Sequence, residues 1–200
     1  MRIAPSFFVL LVPLVVACQE SAVRSSLPDQ GSVADPSDPL PLGVLIDDLH
    51  LDAKTIRFRV DKSDRHFGVL VEDSLLRIYP CVLGDNPVGD KMMQGDRRTP
   101  EGTFGFRSKR VHDKWHAFVW VDYPNAESKK RFERRKRDGL IPPGKDIGGE
   151  IGIHGVPDGM DHWITEGEDW TWGCIALRNA DLDEIYPFII AGVTTIIIEP

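Results

Sequence analysis

Residues 83–105 allow neither a helix nor a regular strand. They carry Gly84, Asp85, Asn86, Pro87, Gly89, Asp90, Gly95 and Asp96, then Arg97-Arg98-Thr99-Pro100-Glu101-Gly102-Thr103-Phe104. Proline removes a backbone donor and fixes φ, while Gly, Asp and Asn favour turns. A long ordered loop of this kind is uncommon in a compact domain and often functional. The fold must hold it between regular segments, and those read as strands. Residues 55–60 (Thr-Ile-Arg-Phe-Arg-Val) alternate apolar and charged, the pattern of a half-buried strand. Strands are also expected at 66–72 and 75–82, with Glu72-Asp73-Ser74 as the turn between them. Cys81, at the end of the second, reads as a small buried apolar residue. Beyond the loop, strands resume at 103–109 and 117–123.

Other segments follow from the same physics. Residues 45–51 suggest about one helical turn. Residues 127–138 form a charged helix ended by Gly139 and Pro142-Pro143, with seven basic residues and one acid across 129–137. That face either contacts an anionic polymer, lipid head groups or peptide carboxylates, or is simply solvated. Residues 151–154 read as a strand and 156–169 as a loop with Pro157, Gly159 and Gly167. Asn179 reads as an N-cap, with Asp181, Asp183 and Glu184 in the first turn of a helix reaching about Ile190. Gly192 stops it, and the β-branched run 193–199 closes the domain as a strand. No internal repeat is visible.

The N-terminus has the proportions of an export signal. Arg2 precedes an apolar run of eleven residues, Phe7 to Ala17. That is too short to cross a hydrocarbon core of about 30 Å. It ends in Val15-Val16-Ala17-Cys18, which resembles the lipobox of bacterial lipoproteins, with Val15 where leucine is usual. The resemblance implies lipidation at Cys18; the plainer reading is an ordinary secretory signal with a coincidental cysteine. By the sorting rule of Gram-negative lipoproteins, Gln19 favours the outer membrane. Residues 1–17 are thus expected to be a signal peptide, and 18–43 a lipidated N-terminus and tether. Repeated prolines and few aromatics mark that tether as disordered. The chain is expected to be exported and to face the periplasm. A net charge of −7 argues against a nucleic-acid partner. Cys18, Cys81 and Cys174 are too few and too widely spaced for a disulfide framework or a zinc site. His154, Asp158 and His162 fall at steps of four, but Pro157 and Gly159 break any helix that would align them. No metal or other cofactor is expected.

Chemistry concentrates in two short stretches. Trp170-Thr171-Trp172-Gly173-Cys174-Ile175-Ala176-Leu177 presents a thiol directly after a glycine. Glycine lets a substrate backbone come close, and the N–H groups of Gly173 and Cys174 can face a developing oxyanion. Ile151-Gly152-Ile153-His154-Gly155, twenty positions upstream, delivers one histidine and then turns. A free thiol has a pKa of about 8.5, so a nucleophilic cysteine needs a nearby base.

Export, Thr-Pro-Glu-Gly-Thr-Phe at 99–104, Ile-His-Gly at 153–155 and Thr-Trp-Gly-Cys-Ile at 171–175 together resemble the L,D-transpeptidase (YkuD-type) catalytic domain. The resemblance covers residues 65–200, and a domain of 44–200 is expected. It implies a mainly β fold, a curved β-sandwich with flanking helices. Cys174 would be the nucleophile and His154 the base, with the ring oriented by a backbone carbonyl. Gly155 would permit the turn after the base, and Thr171 would bond locally. Two positions depart from the family pattern. Trp172 stands where a second histidine is usual, and Ala176 where many members carry an arginine that helps hold substrate. A branch with Trp-Thr-x-Gly-Cys-Ile-Ala shows both replacements; Arg178, two positions on, is the nearby candidate for the arginine's role.

The implied substrate is a peptidoglycan stem peptide, attacked at the carbonyl of its third residue. An amine acceptor from a second stem gives a cross-link, and a lysine from a wall-attached protein gives protein attachment. Water makes the same site an L,D-carboxypeptidase or amidase. The rival from another class is a non-catalytic, peptidoglycan-binding lipoprotein that keeps the fold without turnover.

Overall fold

The computed structural model describes residues 40–72 and 74–200. The signal-like segment, Cys18 and the tether as far as residue 39 lie outside the described residues, as does Asp73. Among the described residues, eight strands form one mixed sheet in the order β3-β2-β1-β8-β4-β5-β6-β7. In chain order these are β1 (Arg57–Asp61), β2 (His66–Val71), β3 (Ser74–Pro80), β4 (Gly102–His112), β5 (His116–Val121), β6 (Gly152–His154), β7 (Ile175–Ala176) and β8 (Thr195–Glu199). Among the described residues, four α-helices flank them: α1 (Leu42–Asp48), α2 (Ala126–Arg137), α3 (His162–Thr165) and α4 (Asn179–Ile185). The mainly β class with flanking helices read from the sequence is present, and the expected curved β-sandwich is built from one mixed sheet bent on itself.

Period-two alternation builds the core. In β1, Phe58 and Val60 are buried while Arg59 faces out. In β8, Ile196 and Ile198 are buried on the same side. The last strand of the chain is central: it pairs parallel with β1 and antiparallel with β4. Rings of Phe67 and Phe106 lie 5.3 and 6.0 Å from that of Phe58. Each such buried side chain contributes about 1.5–3 kcal/mol.

Curvature comes from β4, which spans eleven residues and belongs to both halves of the sheet. Its register with β5 slips between Phe106 and Ser108, and such bulges bend a strand. The bend brings the two ends of the strand order together. Just past β3, Val82 bonds Ala176 of β7 in both directions, at 3.1 and 2.9 Å. Gly84 then bridges Thr171. The loop after β3 is thereby laid directly against the Gly-Cys stretch.

Several boundaries differ from the sequence reading. Helix α1 already begins at Leu42, which is fully buried. Residues 162–165 form the one-turn α3 inside the expected loop. Asn179 is not the cap of α4: Arg178 holds that position, and the Asn179 Oδ1 is taken by the Val156 N–H at 2.9 Å. α4 stops at Ile185, and a 3-10 turn with Pro187 near its start follows (Tyr186–Phe188). Helix α2 starts at Ala126, capped by Asn125, whose side chain accepts from the Ser128 N–H at 2.9 Å.

Candidate active site

His154 is the last residue of β6. Its strand is buried throughout and pairs with β5 on one side and β7 on the other. Phe118, its register partner on β5, stacks on the imidazole at 5.7 Å and 10°. Trp115 and Trp170 complete an aromatic surround, at 5.1 and 5.7 Å. Nδ1 lies 2.7 Å from the Gly155 carbonyl. A carbonyl can only accept, so Nδ1 carries the proton and Nε2 keeps its lone pair. Burial drives the His154 pKa down to about 4, helped by His112, while the Gly155 hydrogen bond works the other way. The ring is therefore neutral at neutral pH. Gly155 has no room for a side chain: a Cβ there would stand 2.3 Å from Asn179 Oδ1.

Cys174 immediately precedes β7. The parallel register sets His154 against Ala176 and Ile153 against Ile175. Cys174 lies two positions before Ala176, the register partner of His154. Among the described residues no hydrogen bond joins the two; Sγ instead donates to the Glu150 carbonyl at 3.5 Å. Burial pushes the thiol up to about 11; the Gly152 N–H and Lys91 lower it, and Glu150 raises it. The resting pair is a neutral thiol and a neutral imidazole.

The thiol is presented by a tight, stitched turn. Thr171 is buried, and its Oγ1 donates to the Cys174 carbonyl at 2.7 Å and accepts the Gly173 N–H at 3.1 Å. That commits the Gly173 N–H and leaves the Cys174 N–H as the remaining oxyanion donor of the two candidates. Gly173 sits at φ +118°, and a Cβ there would lie 2.7 Å from the Arg98 carbonyl.

A hollow of about 490 Å³ opens at Cys174, walled by Lys91, Gln94, Arg97, Glu150 and Trp172. Three of these, Lys91, Gln94 and Arg97, come from the 83–105 loop, and the sequence assigns none of them a site role. The loop is organised by two carboxylates. Asp96 accepts from Lys91 Nζ (2.7 Å) and from the N–H groups of Met92, Met93 and Arg98. Burial would raise its pKa, but these donors hold it below the ordinary carboxylate value. Asp90 accepts from Arg131 and Arg135 of α2, at 3.1 and 2.8 Å. Part of the basic helix face is therefore a clamp on the active-site loop. Outside glycine, Arg97 and Glu150 both take left-handed backbone (φ 56° and 55°), a conformation that clusters at functional sites.

Arg178 does not reach this hollow. It pairs with Asp181 at 2.6 and 2.8 Å and lines a separate recess with Arg77 and Tyr79. Ala176 is fully buried beside Val82, Val156 and Ile164. Cys81 is buried and its thiol is pushed up to about 12 by that burial, consistent with a packing role. His116 binds Asp183 at 2.7 Å, and the Nδ1 of His112 accepts from the Lys114 N–H. Among the described residues, no group of three or more His, Cys, Asp or Glu could hold a metal.

Residues 55–198 match the family model of the L,D-transpeptidase catalytic domain, YkuD. The chain belongs to that family, whose members act on peptidoglycan stem peptides. Among curated proteins nothing matches the chain. One of the similar solved structures reaches a TM-score of 0.50. The helical cell shape determining protein Pgp2 from Campylobacter jejuni is 21% identical over 72% of this chain and 47% of its own, with a TM-score of 0.50. Bd1075 of Bdellovibrio bacteriovorus is 21% identical over 72% and 48%, with a TM-score of 0.48. An L,D-transpeptidase from Mycobacterium smegmatis is 16% identical over 73% and 59%, with a TM-score of 0.46. This chain thus spans about half the length of the first two.

Proposed function

We propose that the chain is a cysteine acyltransferase that takes the acyl group of a peptidoglycan stem peptide onto Cys174 as a thioester. The observation that carries this reading is the β6–β7 register. It sets His154 against Ala176, two positions past Cys174, and an open hollow lies at the thiol. His154 Nε2, held as the acceptor by the Nδ1 bond to Gly155, removes the thiol proton as Sγ attacks the carbonyl of the third residue. The Cys174 N–H faces the oxyanion of the tetrahedral intermediate. Collapse expels the leaving amine, protonated by His154, and leaves the thioester. An incoming amine then gives its proton to His154 and takes the acyl group, yielding a cross-link or an attached protein. Water in the same place gives hydrolysis.

Because both groups rest neutral, deprotonation is coupled to attack; a preformed thiolate–imidazolium pair is disfavoured by burial. The product would alter wall cross-linking and so cell shape. The leader reading adds export, lipidation at Cys18 and a place at the periplasmic face of the outer membrane, with the tether giving a reach of roughly 25–30 Å. Among the described residues no helix is long and apolar enough to cross a membrane.

One observation favours the binding-lipoprotein rival: Sγ bonds Glu150 and not the imidazole. At 3.5 Å to a sulfur that contact is weak, and rotation about χ1 releases it. Incubation of the purified protein with muropeptides, read by product mass beside Cys174→Ala, separates the readings. Cysteine-dependent products support the transferase or hydrolase, according to their masses. Wall binding that survives in Cys174→Ala, with no product from the wild type, supports the rival.

A further inference from the structure

We infer that the outer face of α2 docks on an anionic lipid surface. The inference goes beyond the proposed chemistry and does not depend on Cys174. At about 3.6 residues per turn, α2 has two distinct faces. Ser128 and Phe132 are buried on the inner one, beside the two arginines that hold Asp90, Arg131 and Arg135. Lys129, Lys130, Arg134, Lys136 and Arg137 fall on the outer one, and all are exposed. Lys130 bonds Glu127 at 2.7 Å, and Lys136 lies 3.9 Å from Glu133. Among the described residues, the side chains of Lys129, Arg134 and Arg137 have no partner.

Helix stability alone does not account for this face. Cations in a last turn complement the helix dipole, which covers Arg134 to Arg137. Lys129 and Lys130 lie nearer the start of the helix, where the dipole gives a cation no gain. The chain as a whole carries a net charge of −7, so the outer face reverses the local sign. Lys129, Lys130 and Arg137 border a shallow recess of about 410 Å³ with Ala126 and Glu133, open to a phosphate head group. Leu140 follows the helix directly and is 58% exposed, with its N–H fixed to the Arg135 carbonyl at 2.9 Å. A soluble polyanion asks only for charge. A leucine held at the end of a cationic face fits a head-group layer with its acyl boundary beneath. Because Phe132 is spent on the domain, the helix rests on such a surface and does not sink into it.

The test is co-sedimentation of the full chain carrying Cys18→Ala, which removes any acyl anchor at that residue. One set of vesicles is phosphatidylcholine alone, and the other is equal parts phosphatidylcholine and phosphatidylglycerol. Neutral vesicles measure what any other part of the chain contributes. At low salt the protein should partition on the order of a hundredfold more strongly into the anionic vesicles, and the difference should shrink as salt rises. Lys129→Gln, Arg134→Gln and Arg137→Gln together should lose about fivefold per cation, with thermal unfolding unchanged. Leu140→Ser should cost severalfold more. Equal partition into both vesicle types overturns the inference, as does a folded triple variant that binds anionic vesicles like the wild type. Tight binding to soluble polyglutamate with none to vesicles also overturns it, and would assign the face to an acidic polymer. Acylation by muropeptides, followed separately by intact mass, should be the same in the triple variant and the wild type. Its absence from both would reject the acyltransferase reading and leave the docking face standing.

Discussion

His154 and Cys174 stand on neighbouring strands but are held by opposite means. The histidine is part of the sheet, enclosed by Trp115, Phe118 and Trp170, and its one polar tie is to its own neighbour's carbonyl. The cysteine sits on irregular backbone, pinned by hydroxyl and carbonyl bonds and fronted by a loop that ion pairs hold in place. The proposed base is fixed by packing, and the proposed nucleophile by polar stitching. Damage should therefore follow different rules on the two sides. Loss of an aromatic should change the chemistry of the base. Loss of a charge should change the shape of the nucleophile's pocket.

The largest effect short of removing the thiol is expected for His154→Gln. It should lower acylation about 10²–10⁴-fold while leaving Cys174 accessible to iodoacetamide. Gly173→Ala comes next. Its φ of +118° and the Arg98 carbonyl 2.7 Å from a Cβ leave no relaxed solution. About 1–3 kcal/mol of stability should be lost in denaturant unfolding, with a large fall in acylation. Asp90→Asn breaks the α2 clamp and should cost about 1–3 kcal/mol. It should raise KM more than it lowers kcat, since the loop and not the base is released. If kcat alone falls, the two sides are not separable as described.

Smaller effects concern pH. With the Cys174 thiol at about 11, its alkylation should rise about tenfold per pH unit from 7 to 10. A plateau beginning near neutrality would mean a preformed thiolate. Burial lowers the folded His154 pKa from 6.5 to about 4. In that window the unfolded chain binds a proton that the folded chain does not, so stability present above pH 6.5 is lost as pH falls toward 4. His154→Gln should flatten this acid limb. Trp115→Ala should shift it upward by wetting the ring.

The two sides also differed in how legible they were. Strand β1 follows from residue alternation, β8 from its β-branched run and the histidine strand from a short apolar run, all of them local signals. The motif pair itself marked His154 and Cys174. What could not be read is long-range. Strand β7 has two residues and exists only through pairing with β6 and Val82. Asn179 has the residue type of a cap, yet a bond to Val156 claims its side chain. The 83–105 loop was visible as a loop, but its shape depends on Arg131 and Arg135, about forty residues away. Nearness in sequence points to Arg178, whereas the fold places Arg97 at the hollow beside the thiol.

The central claim is that Cys174 carries the acyl group. Intact-mass measurement of the purified protein after incubation with muropeptides tests it most directly, with Cys174→Ala alongside. The expected result is an adduct of acyl-peptide mass on the wild type, or released product, and neither on the variant. A folded wild-type protein that binds muropeptides yet shows no adduct and no product would contradict it.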